Sequence, residues 1–292
     1  MDNTALAKRM KKYYEEVPKT KLIRRMPVCI RLDGKSFHTF TEGFQTPFDE
    51  VLLKTMQETM LYLCKNIQGC VLGYTQSDEI TLILIDYQTL TTDAWFNYEV
   101  QKICSVSASM ATMAFNKFFE ESVDEYRFSK WDGISKYEDG TQKYIQTLLN
   151  AVNKGAMFDS RCFNIPKEDV ANLIFWRQFD ASKNSVQMVG QAYFTQKELH
   201  KKSTNQIQDM LMIQKGINWN DLPTYQKRGS CCIKIEENIS ENNSVEKMEF
   251  GEDRKKTVIN IERSHWVIDT EIPIFKGENR KYINDLILYN EE

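Results

Sequence analysis

The chain has 292 residues, 41% hydrophobic, 27% charged and 12% aromatic, which excludes collagen-like and wholly disordered chains and allows a sizeable core without disulfides or a structural metal. Its formal net charge of −3 and pI of about 5.8 argue against a general nucleic-acid-coating protein and confine any such contact to a local basic patch. No apolar run approaches the ~18–20 residues of a membrane span, and no apolar stretch follows the charged N-terminus, so neither membrane insertion nor secretion is expected.

Residues 4–16 (TALAKRMKKYYEE) read as a short basic amphipathic helix. MPVCIRL (26–32) is a β-rich apolar run that stops at Asp33-Gly34, a strand entering a turn. Residues 47–67 carry apolar side chains at helical spacing, with Pro47 suited to the first turn. CVLGYT (70–75) and EITLILI (79–85) read as a hairpin across Gln76-Ser77-Asp78. Residues 95–119 form a long helix whose small residues permit close packing on a sheet, and CFNI (162–165) is a further strand.

The order β-α-β-β-α-β is the split βαβ, ferredoxin-like pattern of an α+β fold. Two helices would then cover one face of an antiparallel sheet and leave the other for substrate. Glu121 to Lys154 reads as an irregular or short-helical connection, 167–180 as a helix after Pro166, and 182–193 and 203–213 as further helices. Residues 216–230 read as loop, CCIKI (231–235) and TVINIE (257–262) as strands, and the polar stretch 236–256 as a mobile surface excursion. A catalytic domain over 1–135 and a helical and β C-terminal domain over 136–292 are expected, with the strand near 161–165 completing the first sheet.

The seven cysteines (29, 64, 70, 104, 162, 231 and 232) show no CxxC, and His38, His200 and His265 are far apart. That pattern suits reduced thiols in a cytoplasmic protein better than a zinc site. Two acidic positions stand out instead. Asp33 ends the first strand, and Asp78-Glu79 sit at the hairpin turn; in a split βαβ sheet these strands are central neighbours, so Asp33 and Asp78 can meet at one edge. Converging carboxylates raise one another's pKa unless a cation bridges them, and Mg²⁺ favours one or two carboxylates together with phosphate oxygens. The alternative is two ordinary polar turns. Gly34-Lys35-Ser36-Phe37-His38 could present backbone N–H groups to phosphate or be a plain strand-to-helix connection. Lys102 could place a point charge on a triphosphate or be solvated.

RLDGKSFHTF (31–40), GYTQSDE (73–79), QKICSVSASMATMAFN (101–116), FDSR (158–161), WRQFDASKNS (176–185) and LPTYQKRGS (222–230) together resemble, in order, the tRNA-His guanylyltransferase family, most closely its 3′–5′ polymerase-like members. The resemblance implies a polymerase- or cyclase-type palm. It implies catalytic Asp33, Asp78 and Glu79, with two Mg²⁺ ions held by Asp33, Asp78 and the Gly34 carbonyl. It implies nucleotide contacts at Arg31, Gly34, Lys35, Ser36, Phe37, His38, Ser77, Lys102 and Ser105. It also implies a homotetramer (a dimer of dimers). The eukaryotic enzymes carry His-Ile-Asn-Asn where this chain has Ser182-Lys183-Asn184-Ser185, a departure shared with the template-dependent members that repair 5′-truncated tRNA.

The implied reaction is attack by an incoming nucleotide's 3′-hydroxyl on an RNA 5′-phosphate activated by ATP or GTP, or on a 5′-triphosphate directly, with pyrophosphate leaving. RNA contacts are expected at Lys183, Asn184, Lys227 and Arg228, and basic candidates also include Arg24-Arg25 and Lys197 with Lys201-Lys202. Tyr13, Tyr14 and Tyr225 are candidates for stacking on bases, whereas Trp176 reads as a core aromatic. The competing functions are a palm-type nucleotidyl cyclase and a catalytically silent RNA- or nucleotide-binding module.

Overall fold

The computed structural model describes residues 4–130, 139–239 and 261–288. Among the described residues six strands form one antiparallel sheet: β1 (Val28–Gly34), β2 (Cys70–Gln76), β3 (Glu79–Leu84), β4 (Phe158–Asn164), β5 (Ser230–Ile239) and β6 (Ile261–Asp269). Their spatial order is β4-β1-β3-β2-β5-β6, and every neighbouring pair is antiparallel. The helices are α1 (Ala5–Met10), α2 (Phe37–Phe40), α3 (Glu50–Asn66), α4 (Val100–Ser129), α5 (Asp139–Lys154), α6 (Lys167–Tyr193), α7 (Gln196–Leu199), α8 (Thr204–Lys215), α9 (Thr224–Arg228) and α10 (Lys281–Ile287).

Side-chain alternation on β1 and β3 assigns each sheet face. Val28, Ile30 and Leu32 of β1, with Ile80, Leu82 and Leu84 of β3, pack against α3 and α4. α3 presents Val51, Met56, Met60 and Leu63, and α4 presents Ile103, Ala111, Phe115, Phe119 and Val123. α3 lies so close to β2 that a Cβ on Gly73 would stand 2.5 Å from Cys64 Sγ. An aromatic cluster of Phe37, Phe40, Phe44, Phe115, Phe119 and Phe158 seals one end of this layer, with ring centroids 5.1–5.9 Å apart.

The second face is not left open as the sequence pattern suggests. Cys29, Ile83 and Ile85 meet Val170 and Ile174 of α6 and Ile283 and Ile287 of α10. The reason is visible in the strands: VCI (28–30) and ILI (83–85) are apolar at both parities, so both faces need cover. Only toward the other end of the strands do Arg31, Asp33, Glu79 and Thr81 make this face polar.

Other corrections concern helices. Glu121 to Lys154 is not an irregular link: α4 continues to Ser129, and α5 buries Tyr144, Ile145, Leu148 and Ala151. These follow helical spacing that the intervening charges disguise; residues 131–138 lie outside the described residues. α6 is one 27-residue helix rather than two. α3 starts at Glu50 and not at Pro47, because Asp49 is its N-cap, accepting from Leu52 N at 3.0 Å. The 216–230 segment holds a 3₁₀ turn at Trp219–Asp221 and the short α9. Residues 236–239 extend β5 instead of opening an excursion; the remainder of that stretch and the start of the strand expected at 257–262 fall outside the described residues.

Candidate active site

Two turns meet at the polar end of the sheet. β1 delivers Asp33 and Gly34, and the β2–β3 hairpin delivers Ser77 and Asp78. Asp33 pairs with Glu79 in the β1–β3 register, and Gly34 N donates to the Asp78 carbonyl at 3.1 Å, tying the turns together. Each turn holds a serine in the left-handed region, Ser36 at φ 55° and Ser77 at φ 49°, a conformation uncommon for residues with a Cβ.

A cavity of about 510 Å³ opens over these turns, lined by Asp33, Gly34, Ser36, Phe37, His38, Ser77 and Asp78. Seven of the sequence-predicted positions thus converge. His38 and Ser36 are exposed at its rim, whereas the Phe37 ring is 5% exposed and belongs to the aromatic cluster. The opposite wall comes from residues 44–47, 49 and 52. It is fixed by the buried Asp49 carboxylate, which accepts from Gln45 N (3.0 Å), Leu52 N (3.0 Å) and the Tyr144 hydroxyl (2.6 Å). Asp49 does not stand out in the sequence pattern, although an Asp just ahead of a helical pattern is an N-cap signal. Met188 of α6 also reaches this cavity, with no sequence signal.

Asp78 is half-buried, with its Ser77 neighbour as a hydroxyl partner at 3.0 Å. Burial pushes its carboxyl pKa up, and the nearby Asp33 and Glu79 add to the rise against the lowering by hydrogen bonds. Asp33 is 41% exposed; Arg161 Nη2 lies 4.0 Å from it and 3.2 Å from Asp159 Oδ1. A partly desolvated carboxylate crowded by a second one and backed by few donors is a set of hard oxygen donors. It fits a divalent cation such as Mg²⁺.

Glu79 stands elsewhere. It is 6% exposed and points into the second face. Its two oxygens accept from Arg177 Nε (2.7 Å) and Nη2 (2.8 Å), Thr81 Oγ1 donates at 3.3 Å, and Arg31 Nε is 3.4 Å away. Arg31 and Glu79 therefore form a buried ion network under the hairpin and do not line the cavity. Trp176 is no core residue: it is 48% exposed, with the Arg177 and Arg31 guanidinium carbons 4.6 Å and 5.8 Å from its rings.

Lys102 and Ser105 are also remote. α4 runs antiparallel to β4, with Thr112 Oγ1 3.1 Å from Phe158 N, Ser107 Oγ 2.7 Å from Ser160 Oγ, and Cys104 Sγ 3.7 Å from Cys162 Sγ. Phe158 pairs with Gly34, so Lys102 lies ~15 Å of helix away, toward the other end of the sheet. Lys35 is exposed and outside the cavity lining. Arg24 and Arg25 are tied to Asp86, through Arg24 Nε (2.5 Å) and Arg25 N (2.8 Å).

A second cavity of about 360 Å³ collects Lys183, Lys227 and Arg228, but not Asn184, beside Phe179 and Trp219. Tyr13 and Tyr14 are exposed, and Tyr225 is half-buried with its hydroxyl 3.4 Å from Glu50 Oε2.

The family model described as tRNAHis guanylyltransferase matches residues 7–166. The chain belongs to the tRNAHis guanylyltransferase family. Among relatives, the tRNA(His) guanylyltransferase of Saccharomyces cerevisiae is 28% identical over 222 residues, covering 70% of this chain and 82% of that protein. An uncharacterised protein of Acanthamoeba polyphaga mimivirus is 29% identical over 212 residues, covering 69% and 68%. A bacterial tRNAHis guanylyltransferase-like protein solved with ATP is 39% identical at a TM-score of 0.74, with 98% of this chain and all of that chain covered. A structure of such a protein with GTP is 37% identical at 0.71, with the same coverage.

Proposed function

We propose that this protein is a nucleotidyltransferase that extends the 5′ end of tRNA in the 3′–5′ direction, with Asp33 and Asp78 at the reacting phosphates. Family membership supports the activity, and the likeness of nearly the whole chain to proteins solved with ATP and with GTP supports both as nucleotides. The observation that carries the placement is the hydrogen bond from Gly34 N to the Asp78 carbonyl, which brings both turns to one cavity. The strand order, with β1 and β3 central and helices α3 and α4 on one face, supports a ferredoxin-like palm within residues 1–135, completed by β4 from 136–292.

Asp33, Asp78 and the Gly34 carbonyl would hold Mg²⁺, which when bound activates the attacking hydroxyl and neutralises pyrophosphate charge. The chain's own residues position the reactants. The turn at Ser36–His38 offers backbone N–H groups and the His38 ring to phosphate oxygens, the Gly34 and Lys35 N–H groups being taken by the Asp78 and Met157 carbonyls, and the Ser77 hydroxyl holds the Asp78 carboxylate. The wall fixed by Asp49 and Tyr144 confines the nucleotide. Little covalent chemistry is asked of the protein; orientation and charge stabilisation suffice. Glu79, with Arg31 and Arg177, holds the hairpin that carries Asp78.

Lys102 and Ser105 contribute nucleotide contacts only if another subunit brings them to a neighbouring cavity, which is consistent with the homotetramer we propose. No helix among the described residues is long and apolar enough to cross a membrane. The cytoplasmic location we propose rests on the cysteine pattern and the tRNA-directed activity. The SKNS stretch at 182–185 favours templated repair over fixed G addition.

The test offers full-length protein 5′-truncated tRNAs with labelled NTPs, matched or mismatched to the base opposite the gap. Extension by the matched nucleotide supports the reading. A cyclic nucleotide formed without RNA, or no turnover on any substrate, overturns it.

A further inference from the structure

We propose that the cavity between α6, α9 and the segment at Lys276 is a second recognition site, which takes one unpaired nucleotide of the RNA. Its base would lie on the wall of Phe179 and Trp219, and its phosphate on Lys183, Lys227, Arg228 and Lys276. This rests on the function proposed above and names where, beyond the carboxylates, the RNA is gripped.

Three observations carry it. The cavity measures about 360 Å³, within the range of small-ligand sites, and four cations and no carboxylate line it in a chain of net charge −3. The aromatic wall is preorganised. Phe179 is 50% exposed, and the Trp219 ring is fixed by its indole N–H donating to Ser185 Oγ at 2.9 Å. Lys183 Nζ rests 4.1 Å from the Phe179 centroid and Lys227 Nζ 6.0 Å from Trp219, so cation and π-face lie within one nucleotide's reach. The site is also braced. Gln178 donates to the Pro273 carbonyl (2.8 Å) and accepts from Phe275 N (3.0 Å), holding the Lys276 segment against α6. Burial and then the neighbouring Arg228 push the Lys227 ammonium pKa down, against the opposing pull of Glu271 and Asp221.

The position favours an RNA residue over a free nucleotide. The Arg228 carbonyl accepts from the Tyr74 hydroxyl at 2.7 Å, and Ser230 pairs with Thr75, so the cavity abuts the hairpin that carries Asp78. On α6, Val186 lines this cavity and Met188, two residues on, lines the carboxylate cavity. Residues two apart point to different faces of a helix, so α6 stands between the two cavities, and only a chain of several nucleotides passing α6 would reach both. The cations come from three separate segments, as a track for a backbone requires.

The experiment titrates a fluorescein-labelled 5′-truncated tRNA into full-length protein from 50 to 200 mM KCl, with anisotropy as readout, and measures ATP affinity by calorimetry. Phe179→Ala should weaken tRNA binding about 5- to 100-fold without changing the salt slope, because stacking carries no counterions. The pair Lys183→Ala, Arg228→Ala should flatten the slope by roughly 1.4 to 1.8 in log–log units, for two lost phosphate contacts. ATP affinity and melting temperature should stay at wild-type values in both. Unchanged tRNA affinity in both proteins overturns the proposal. Loss of ATP affinity with tRNA binding intact also overturns it, by assigning the cavity to free nucleotide. Absence of tRNA binding by the wild-type protein would instead sink the proposed function itself.

Discussion

Replacing Arg177 by Met should destabilise the protein strongly, and replacing Glu79 as well should recover much of the loss. The Arg177 and Glu79 side chains are 8% and 7% exposed, and two hydrogen bonds of 2.7 Å and 2.8 Å join them. Removing one partner of a buried pair strands the other charge and costs about 3–5 kcal/mol. Arg31, 3.4 Å from the same carboxylate, retains part of the compensation, which places the expectation near the lower end. At ~2–4 °C per kcal/mol, a loss of about 3 kcal/mol lowers Tm by roughly 6–12 °C. A double-mutant cycle of Arg177→Met and Glu79→Met, followed by urea and thermal unfolding, isolates the coupling. A single-variant loss below about 1 kcal/mol, or strictly additive losses in the double variant, would refute the view of Glu79 as an anchor rather than a phosphate-facing group.

Two further outcomes follow from the same geometry. Asp78 has its pKa raised by burial and by Asp33, so folding favours its protonated form. That contribution is full below the ordinary carboxylate value and is lost as pH rises through the raised one. Asp78→Asn should therefore raise the Tm of metal-free protein near neutral pH, with the gain vanishing in acid; thermal scans from pH 3 to 7 check it. A Cβ on Gly34 would lie 2.2 Å from Phe37 Cδ2, a ring locked among Phe40, Phe115 and Phe158. Gly34→Ala should accordingly cost ~1–3 kcal/mol by overpacking, measured by urea unfolding.

Much of this molecule is legible from its residues. Strand parity, the Asp33-Gly34 stop and the Ser77-Asp78 turn give the central sheet and the meeting of two carboxylates, because period-2 patterns and turn chemistry are local signals. What stayed hidden depends on distant partners. Nothing local shows that Glu79 meets Arg177, 98 positions later, or that α6 and α10 cover the second face. Trp176 reads as core by residue type, yet its rings lie in a half-exposed position beside two arginines. Helical spacing puts Lys102 near the start of α4, but only the antiparallel course along β4 shows how far that is from Asp33.

The central claim is that Asp33 and Asp78 act together on the reacting phosphates. The most direct measurement is the single-turnover rate of templated nucleotide addition to a 5′-truncated tRNA, compared among wild type, Asp33→Ala and Asp78→Ala, with tRNA affinity and Tm recorded alongside. Each variant should bind tRNA and remain folded while losing at least ~10²–10³ in rate. Wild-type turnover in either folded variant would contradict the account.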